Sequence, residues 1–311
     1  MKKYRIYNAK YKNRIAQFYE ILHSAVDDNK GLLADVYYNE FRGYLEGLLY
    51  GNVITVNKIP RVYVNTGIEY KVIVDFVTEI QQHDDRVIII KPVLNIKDTL
   101  REYGYPFKSK GHSAILDRYQ RTGLVTSVKQ YLGIREDKEP WSSDKSCPNI
   151  LKYQFTSDFK IHISDKCCTY LKENPIKKWA QDNNKPYSIV GIMASEGGRR
   201  STAVCLAFKK GKLKAFQPLA PLNKEWENWF IEKHNIKLCK LYYPPYNFNR
   251  TGCKGCPFAT RLQDELDTLE KYFPAERKQC EYIWKPVYDE YRRINYRLKK
   301  EVNNGQQNNT N

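Results

Sequence analysis

The most informative loop of this chain reads Arg250-Thr251-Gly252-Cys253-Lys254-Gly255-Cys256-Pro257-Phe258, and two adjacent cysteines, Cys167 and Cys168, precede it. A Cys-x-x-Cys turn with an internal glycine can direct two sulfurs at one metal centre. Residues 169–252 separate the two cysteine pairs, so only the fold can bring them together. The pattern predicts one metal centre held by Cys167, Cys168, Cys253 and Cys256.

The adjacency of Cys167 and Cys168 bears on which metal they would bind. Consecutive side chains diverge, so they are poor partners on one tetrahedral zinc ion, but each can bind a different iron of a cubane. This favours a [4Fe–4S] cluster, with zinc as the alternative. A further interpretation needs no metal. Free cysteine is often simply buried, so Cys167 and Cys168 would be small core residues and Cys253–Cys256 an isolated turn.

Two segments carry a resemblance to a known family: Ile163–Cys168, with Lys172 and Pro175 after it, and Arg250–Phe258. They resemble the phosphoadenosine phosphosulfate (PAPS) reductase family, and within it the iron–sulfur branch that includes adenylylsulfate reductases and DNA-sulfur-modification relatives. Over about residues 10–260, further matching stretches follow in the family's order: Asn65–Tyr70, Tyr103–Lys110 and Gly191–Glu196 with Arg199.

The apolar pattern predicts an α/β fold with a doubly wound, mostly parallel sheet. Arg61–Val64 and Arg86–Ile90 are expected to be strands, and residues 68–81 the helix between them. Strands separated by helices of this length are typical of parallel sheets. The resemblance implies that the sheet is of the adenine nucleotide alpha-hydrolase-like type, with a C-terminal helical part.

The predicted organisation has three parts. Residues 1–220 form the PAPS-reductase-like α/β domain, with a surface insertion at 136–160, and residues 221–300 form the cluster loop and C-terminal helices. Residues 301–311 are expected to be a disordered tail because they are polar and of low complexity.

The resemblance also places a phosphate-binding loop where this chain departs from the family's Ser-Gly-Gly-Lys-Asp-Ser pattern. Glycines normally let backbone N–H groups approach a phosphate at a helix N-terminus. Here a carboxylate and a phenyl ring replace the paired glycines, which makes adenine nucleotide binding doubtful and predicts a degenerate loop. The loop positions are Asn39, Glu40, Phe41, Arg42, Gly43 and Tyr44. A shifted alignment would instead use Gly47 or Gly51.

The resemblance implies further contacts to the substrate anion, at Thr66, Gly67, Ser109, Lys110, Glu196, Arg199 and Arg250. Apart from the resemblance, these residues are equally typical of ordinary turns and solvated surfaces. Met193 stands where relatives usually have a second arginine. Reductases of the family also use a cysteine in a C-terminal Glu-Cys-Gly motif, whereas no cysteine follows Cys280 here. The sequence therefore assigns no catalytic residue.

The net charge and the cysteines indicate which kind of partner and which cellular compartment to expect. The formal net charge is +17, from 52 basic and 35 acidic residues, which attracts polyanions over a long range. The exposed side of the last predicted helix carries five basic residues, Arg292, Arg293, Arg297, Lys299 and Lys300. No apolar run reaches a membrane-span length and no signal peptide is evident, so we expect a cytoplasmic protein whose eight cysteines are thiols or metal ligands.

Three functions fit these observations. The first is a sulfur-transfer or sulfonucleotide reductase-type enzyme. The second is a protein that is inactive as a sulfonucleotide reductase and binds a nucleic acid or an acidic protein partner. The family's frequent occurrence in phages suggests a mobile-element accessory or counter-defence role for it. The third is a nucleic-acid sulfur-modification component. The charge of +17 fits the second and third better, although it would also suit a merely solubilising surface.

Overall fold

The computed structural model describes most of the chain between residues 60 and 300, namely residues 60–134, 146–197, 200–209, 212–217, 219–233, 235–248 and 251–300. The predicted phosphate loop Asn39–Tyr44, the first ten residues of the predicted insertion (136–145) and the tail 301–311 lie outside the described residues. Within the described part, one compact unit comprises 191–205 and 217–237, and a second comprises 60–190, 206–216 and 238–300.

The second unit begins with a β-α-β motif. Strand β1 (Arg61–Val64) leads through helix α1 (Lys71–His83) to strand β2 (Val87–Ile90). The two strands are parallel, with Tyr63 opposite Ile89. Both predicted strands and the predicted helix between them are thus confirmed, within two or three residues at each end.

Three strands form a separate mixed sheet in the same unit. Strand β5 (Lys212–Phe216) lies between β3 (Ser188–Ile189), to which it is parallel, and β4 (Leu206–Lys209), to which it is antiparallel. The described strands therefore form one two-stranded and one three-stranded sheet. The α/β character is confirmed, while a single doubly wound sheet stays a prediction.

Short helices fill the middle of this unit: α2 (Ile96–Tyr103), α3 (Lys110–Thr122), α4 (Thr126–Leu132) and a 3₁₀ turn (Asn149–Phe155). The 3₁₀ turn falls within the predicted surface insertion, yet its Leu151 and Phe155 are buried in the same core as Leu116 of α3. Its apolar side chains, rather than the flanking prolines, determine where this segment packs.

A π-helical turn (Thr169–Glu173) leads into α5 (Asn174–Asp182), and α6 (Lys224–Lys233) belongs to the other unit. Two helices follow the cysteine loop: α7 (Leu262–Tyr272) and α8 (Pro274–Arg293). The sequence predicts that Pro274 ends the first of them, and it does. Proline is tolerated in the first helical turn, so the same residue begins the next helix.

Three of the five basic residues predicted on the exposed side of the C-terminal helix form ion pairs or hydrogen bonds within the protein. Arg292 forms an ion pair with Glu281 at 2.5 Å, and Arg293 pairs with Glu290 at 2.8 Å. Arg297 donates to the Pro257 carbonyl at 2.6 Å. The prediction of a solvent-facing side is therefore wrong for Arg292 and Arg297, which are partly buried, whereas Arg293, Lys299 and Lys300 are exposed. Across the described helices, none combines the length and apolar character of a membrane span.

Candidate metal centre

Cys167 and Cys168 begin the helical segment that continues into the π-helical turn. A hydrogen bond between the two sulfurs raises the pKa of Cys167 and lowers the pKa of Cys168, because one thiol shares its proton with the other sulfur. The ammonium groups of Lys110 and Lys172 lower the pKa of Cys168 further. This end of the site therefore favours a thiolate.

The Cys253–Cys256 loop is held through its backbone. The N–H of Lys254 donates to the Ile68 carbonyl at 2.9 Å, and the N–H of Gly255 donates to Glu265 Oε1 at 2.9 Å. Gly255 has φ +58°, a left-handed conformation that glycine adopts without strain. Burial raises the pKa of Cys256, and the Phe258 N–H opposes this by hydrogen-bonding its sulfur.

The two cysteine pairs, far apart in sequence, act on each other in the folded chain. Besides Cys168 and burial, Cys256 and Cys253 raise the pKa of Cys167, and the pKa of Cys256 is raised by burial and then by Cys253 and Cys168. The fold thus brings the four predicted ligands into one electrostatic neighbourhood. Among the residues that the structure describes, no three His, Cys, Asp or Glu groups stand at metal-ligand spacing. The metal centre stays a prediction.

A buried polar chain joins this neighbourhood to the loop after β1. Lys172 hydrogen-bonds Cys253 and lies 3.3 Å from Glu69 Oε1. Glu69 Oε2 in turn accepts from the Thr66 N–H at 2.9 Å and from the Thr66 hydroxyl at 2.6 Å. Burial lowers the pKa of Lys172, but Cys253 and Glu69 outweigh it, so its pKa is raised. Near the same groups, the buried Tyr63 hydroxyl has no hydrogen-bond partner.

The remaining predicted anion contacts in this unit have local structural roles. Gly67 is exposed with φ +81°, as its turn requires. Ser109 caps α3, its hydroxyl accepting from the His112 N–H at 3.2 Å. Lys110, the first residue of that helix, lies 4.0 Å from Glu173.

The other predicted contacts are not assembled into a described site. Glu196 belongs to the other compact unit, where it forms an ion pair with Arg200 at 2.7 Å. Arg199, Arg250 and the loop Asn39–Tyr44 lie outside the described residues.

Sequence reasoning did not assign a role to Lys172 or Glu69. Lys172 follows Cys168 by one helical turn, a spacing that places the two side chains on the same face and could have identified it. Glu69 carries no comparable signal, because its contact with Lys172 depends on how distant segments pack.

A parallel β-α-β motif, joined through Glu69 and Lys172 to a group of cysteines, defines an α/β unit. The family model described as the phosphoadenosine phosphosulfate reductase domain matches residues 126–259. Residues 126–259 are thus similar to the PAPS reductase domain, and this similarity indicates an adenine nucleotide alpha-hydrolase-like α/β fold. Both cysteine pairs lie inside the matched span. No curated protein matches the chain.

Proposed function

We propose that this PAPS reductase-like domain binds a [4Fe–4S] cluster through Cys167, Cys168, Cys253 and Cys256. The observation that carries the proposal is that Lys172, one helical turn after Cys168, hydrogen-bonds Cys253, so two cysteine segments separated by residues 169–252 meet in the folded chain. Thiolates are the ligands that such clusters take.

The surroundings of the cysteines support an anionic centre. Lys172 hydrogen-bonds Cys253, and Lys110 and Lys172 both favour the thiolate of Cys168. The Phe258 N–H donates to the sulfur of Cys256. Cations and N–H donors beside the sulfurs stabilise bound thiolates and raise the reduction potential of a cluster. When bound, the cluster would supply electron storage and hold the two cysteine segments together.

We further propose that the domain is inactive as a sulfonucleotide reductase. Glu40 and Phe41 stand where the family's phosphate loop has paired glycines, and Met193 stands where relatives usually have a second arginine. On this proposal the cluster has a structural role within a doubly wound domain. The net charge of +17 then supports binding to a nucleic acid or an acidic protein.

Anaerobic purification with iron and acid-labile sulfide analysis tests the cluster. We expect about four irons and four sulfides per chain, a loss of both in Cys168→Ser and Cys253→Ser, and retention in Cys239→Ser. Cys239 is a suitable control because it is also buried but its sulfur is directed to the Val72 carbonyl, at 3.8 Å. Stoichiometric zinc without iron would overturn the cluster assignment.

Calorimetry tests the proposed inactivity. ATP, adenylylsulfate and PAPS should show no micromolar binding, and binding that depends on Arg42 would instead favour the sulfonucleotide reductase-type enzyme. A salt series with duplex DNA and tRNA tests the partner. Nucleic-acid binding that weakens steeply with salt is expected, because phosphate contacts release counterions.

A further inference from the structure

Three aromatic side chains of α8 donate hydrogen bonds to the backbone of the cysteine loop. The indole Nε1 of Trp284 donates to the Lys254 carbonyl at 3.2 Å, and the hydroxyl of Tyr288 donates to the Gly255 carbonyl. The hydroxyl of Tyr291 donates to the Pro257 carbonyl at 2.9 Å. We call Trp284, Tyr288 and Tyr291 the aromatic triad. Its members lie four and three residues apart, so one face of α8 presents all three donors.

The triad does more than fill space. All three side chains are almost fully buried, at 1%, 0% and 0% exposure, so each donor group lies inside the core and not at the surface. A buried carbonyl needs a donor, and here each of three loop carbonyls has its own on the same helix. The match between donors and acceptors fixes the position of the loop along α8.

The remaining loop contacts reinforce the same conformation. Glu265 of α7 accepts from the Gly255 N–H at 2.9 Å, and Arg297 donates to the Pro257 carbonyl at 2.6 Å. The peptide groups between and after Cys253 and Cys256 are therefore hydrogen-bonded by side chains of the C-terminal part of the chain, from Glu265 to Arg297.

We propose that the aromatic triad is a set of positioning residues that fixes the backbone of the Cys253–Cys256 loop and thereby the positions of the two sulfurs. The effect of the triad on a bound cluster rests on the proposed function. Its effect on the conformation of the Cys253–Cys256 loop does not. The proposal assigns a role beyond core packing to residues outside the matched family domain, which ends at residue 259.

The test compares Tyr288→Phe and Tyr291→Phe with Tyr282→Phe in the full-length metal-free protein. Tyr282 lies on the same helix but is 64% exposed, and its hydroxyl contacts Lys97 at the surface. Alkylation of each cysteine is followed by mass spectrometry. We expect Cys253 and Cys256 to react about tenfold faster in each triad variant, as one lost buried hydrogen bond would allow, with Cys147 and Cys239 unchanged as internal references.

A second readout reports on the bound centre. In the loaded protein, Tyr288→Phe and Tyr291→Phe should lose iron faster and shift the electron paramagnetic resonance of the reduced cluster, whereas Tyr282→Phe should match the wild type. If either variant does not fold, Trp284→Phe replaces it, because it removes one donor and keeps an aromatic ring.

The outcomes separate this inference from the proposed function. A wild type without iron, combined with selective alkylation in the triad variants, would contradict the cluster and support the positioning role. Unchanged alkylation of Cys253 and Cys256 would overturn the positioning role, as would an equal increase at all cysteines, which would indicate general loosening of the fold.

Discussion

The ammonium of Lys172 lies 3.3 Å from the carboxylate of Glu69, and this pair stands between the Thr66 turn and Cys253. The Glu69 side chain is 6% exposed and that of Lys172 37% exposed. The pair therefore gives the loop after β1 a direct electrostatic connection to the cysteines.

Replacing Glu69 with glutamine should destabilise the fold. The change leaves Lys172 without its carboxylate, and a partly buried group that loses its partner costs about 1–3 kcal/mol. Urea denaturation measures the difference. The control is Asp182→Asn, which breaks the exposed pair with Lys178 and should cost about 0.5 kcal/mol or less. Equal losses of unfolding free energy in the two variants would show that the Glu69–Lys172 pair stabilises the fold no more than an exposed ion pair does.

Replacing Gly255 with alanine should also destabilise the fold. A methyl group there would lie 2.9 Å from Cys280 Sγ and would force a side chain into a left-handed backbone conformation. The backbone strain alone costs about 1–2 kcal/mol, and the steric overlap adds to it. Gly252→Ala is the matched control in the same loop, since nothing lies within 4 Å of the added carbon. Thermal unfolding of both variants measures the difference, and similar melting temperatures would contradict the prediction.

Ser109 can be tested as a helix cap. Ser109→Ala removes the acceptor for the His112 N–H and should cost about 1 kcal/mol. Ser109→Asp keeps a side-chain acceptor at the same position and should retain most of the stability. If both variants unfold like the wild type in urea, the hydroxyl does not stabilise α3.

Stability should fall as the pH drops from 6.5 towards 4, because burial lowers the pKa of His112 to about 4 from 6.5. Its Nδ1 contacts the Tyr131 hydroxyl and its Nε2 the Gln154 carbonyl oxygen, both at 2.8 Å, while Lys108 and Arg297 lower the pKa further. In this window the unfolded chain binds a proton that the folded chain excludes, at about 1.4 kcal/mol per pH unit.

Urea denaturation across this pH range measures the effect. His112→Gln should flatten the pH dependence relative to the wild type, whereas His83→Gln should not, because His83 is exposed. A slope that is the same in all three proteins would show that His112 takes up its proton normally when folded.

Local patterns predicted the β-α-β motif and the helices around Pro274 well, because apolar spacing and proline positions report directly on burial and helix ends. The same spacing could not distinguish core residues from donors: Trp284 and Tyr291 show the same helical period whether or not they bond to a carbonyl. Arg292 was expected to face solvent, because its partner Glu281 is three helical turns away and periodicity does not report such pairing.

The candidate metal centre could likewise be predicted only in part from the sequence. The residue types and order of the cysteines predict one centre held by four sulfurs, and in the folded chain Cys168 raises the pKa values of Cys253 and Cys256. The cations that stabilise them were less predictable. Lys110 and Lys172 come from separate helical segments, so their convergence on Cys168 is a property of tertiary packing.

Helix α8 also sets a practical boundary for work on this protein. The family match stops at residue 259, shortly after the second cysteine pair, but the donors that secure that pair begin at Trp284 and extend to Arg297. A fragment cut at residue 259 would keep the four predicted ligands but lose Cys280 and the side chains that hydrogen-bond the loop carrying two of those ligands. Any expressed fragment or domain swap should therefore extend at least through Leu298, which is buried in the same core.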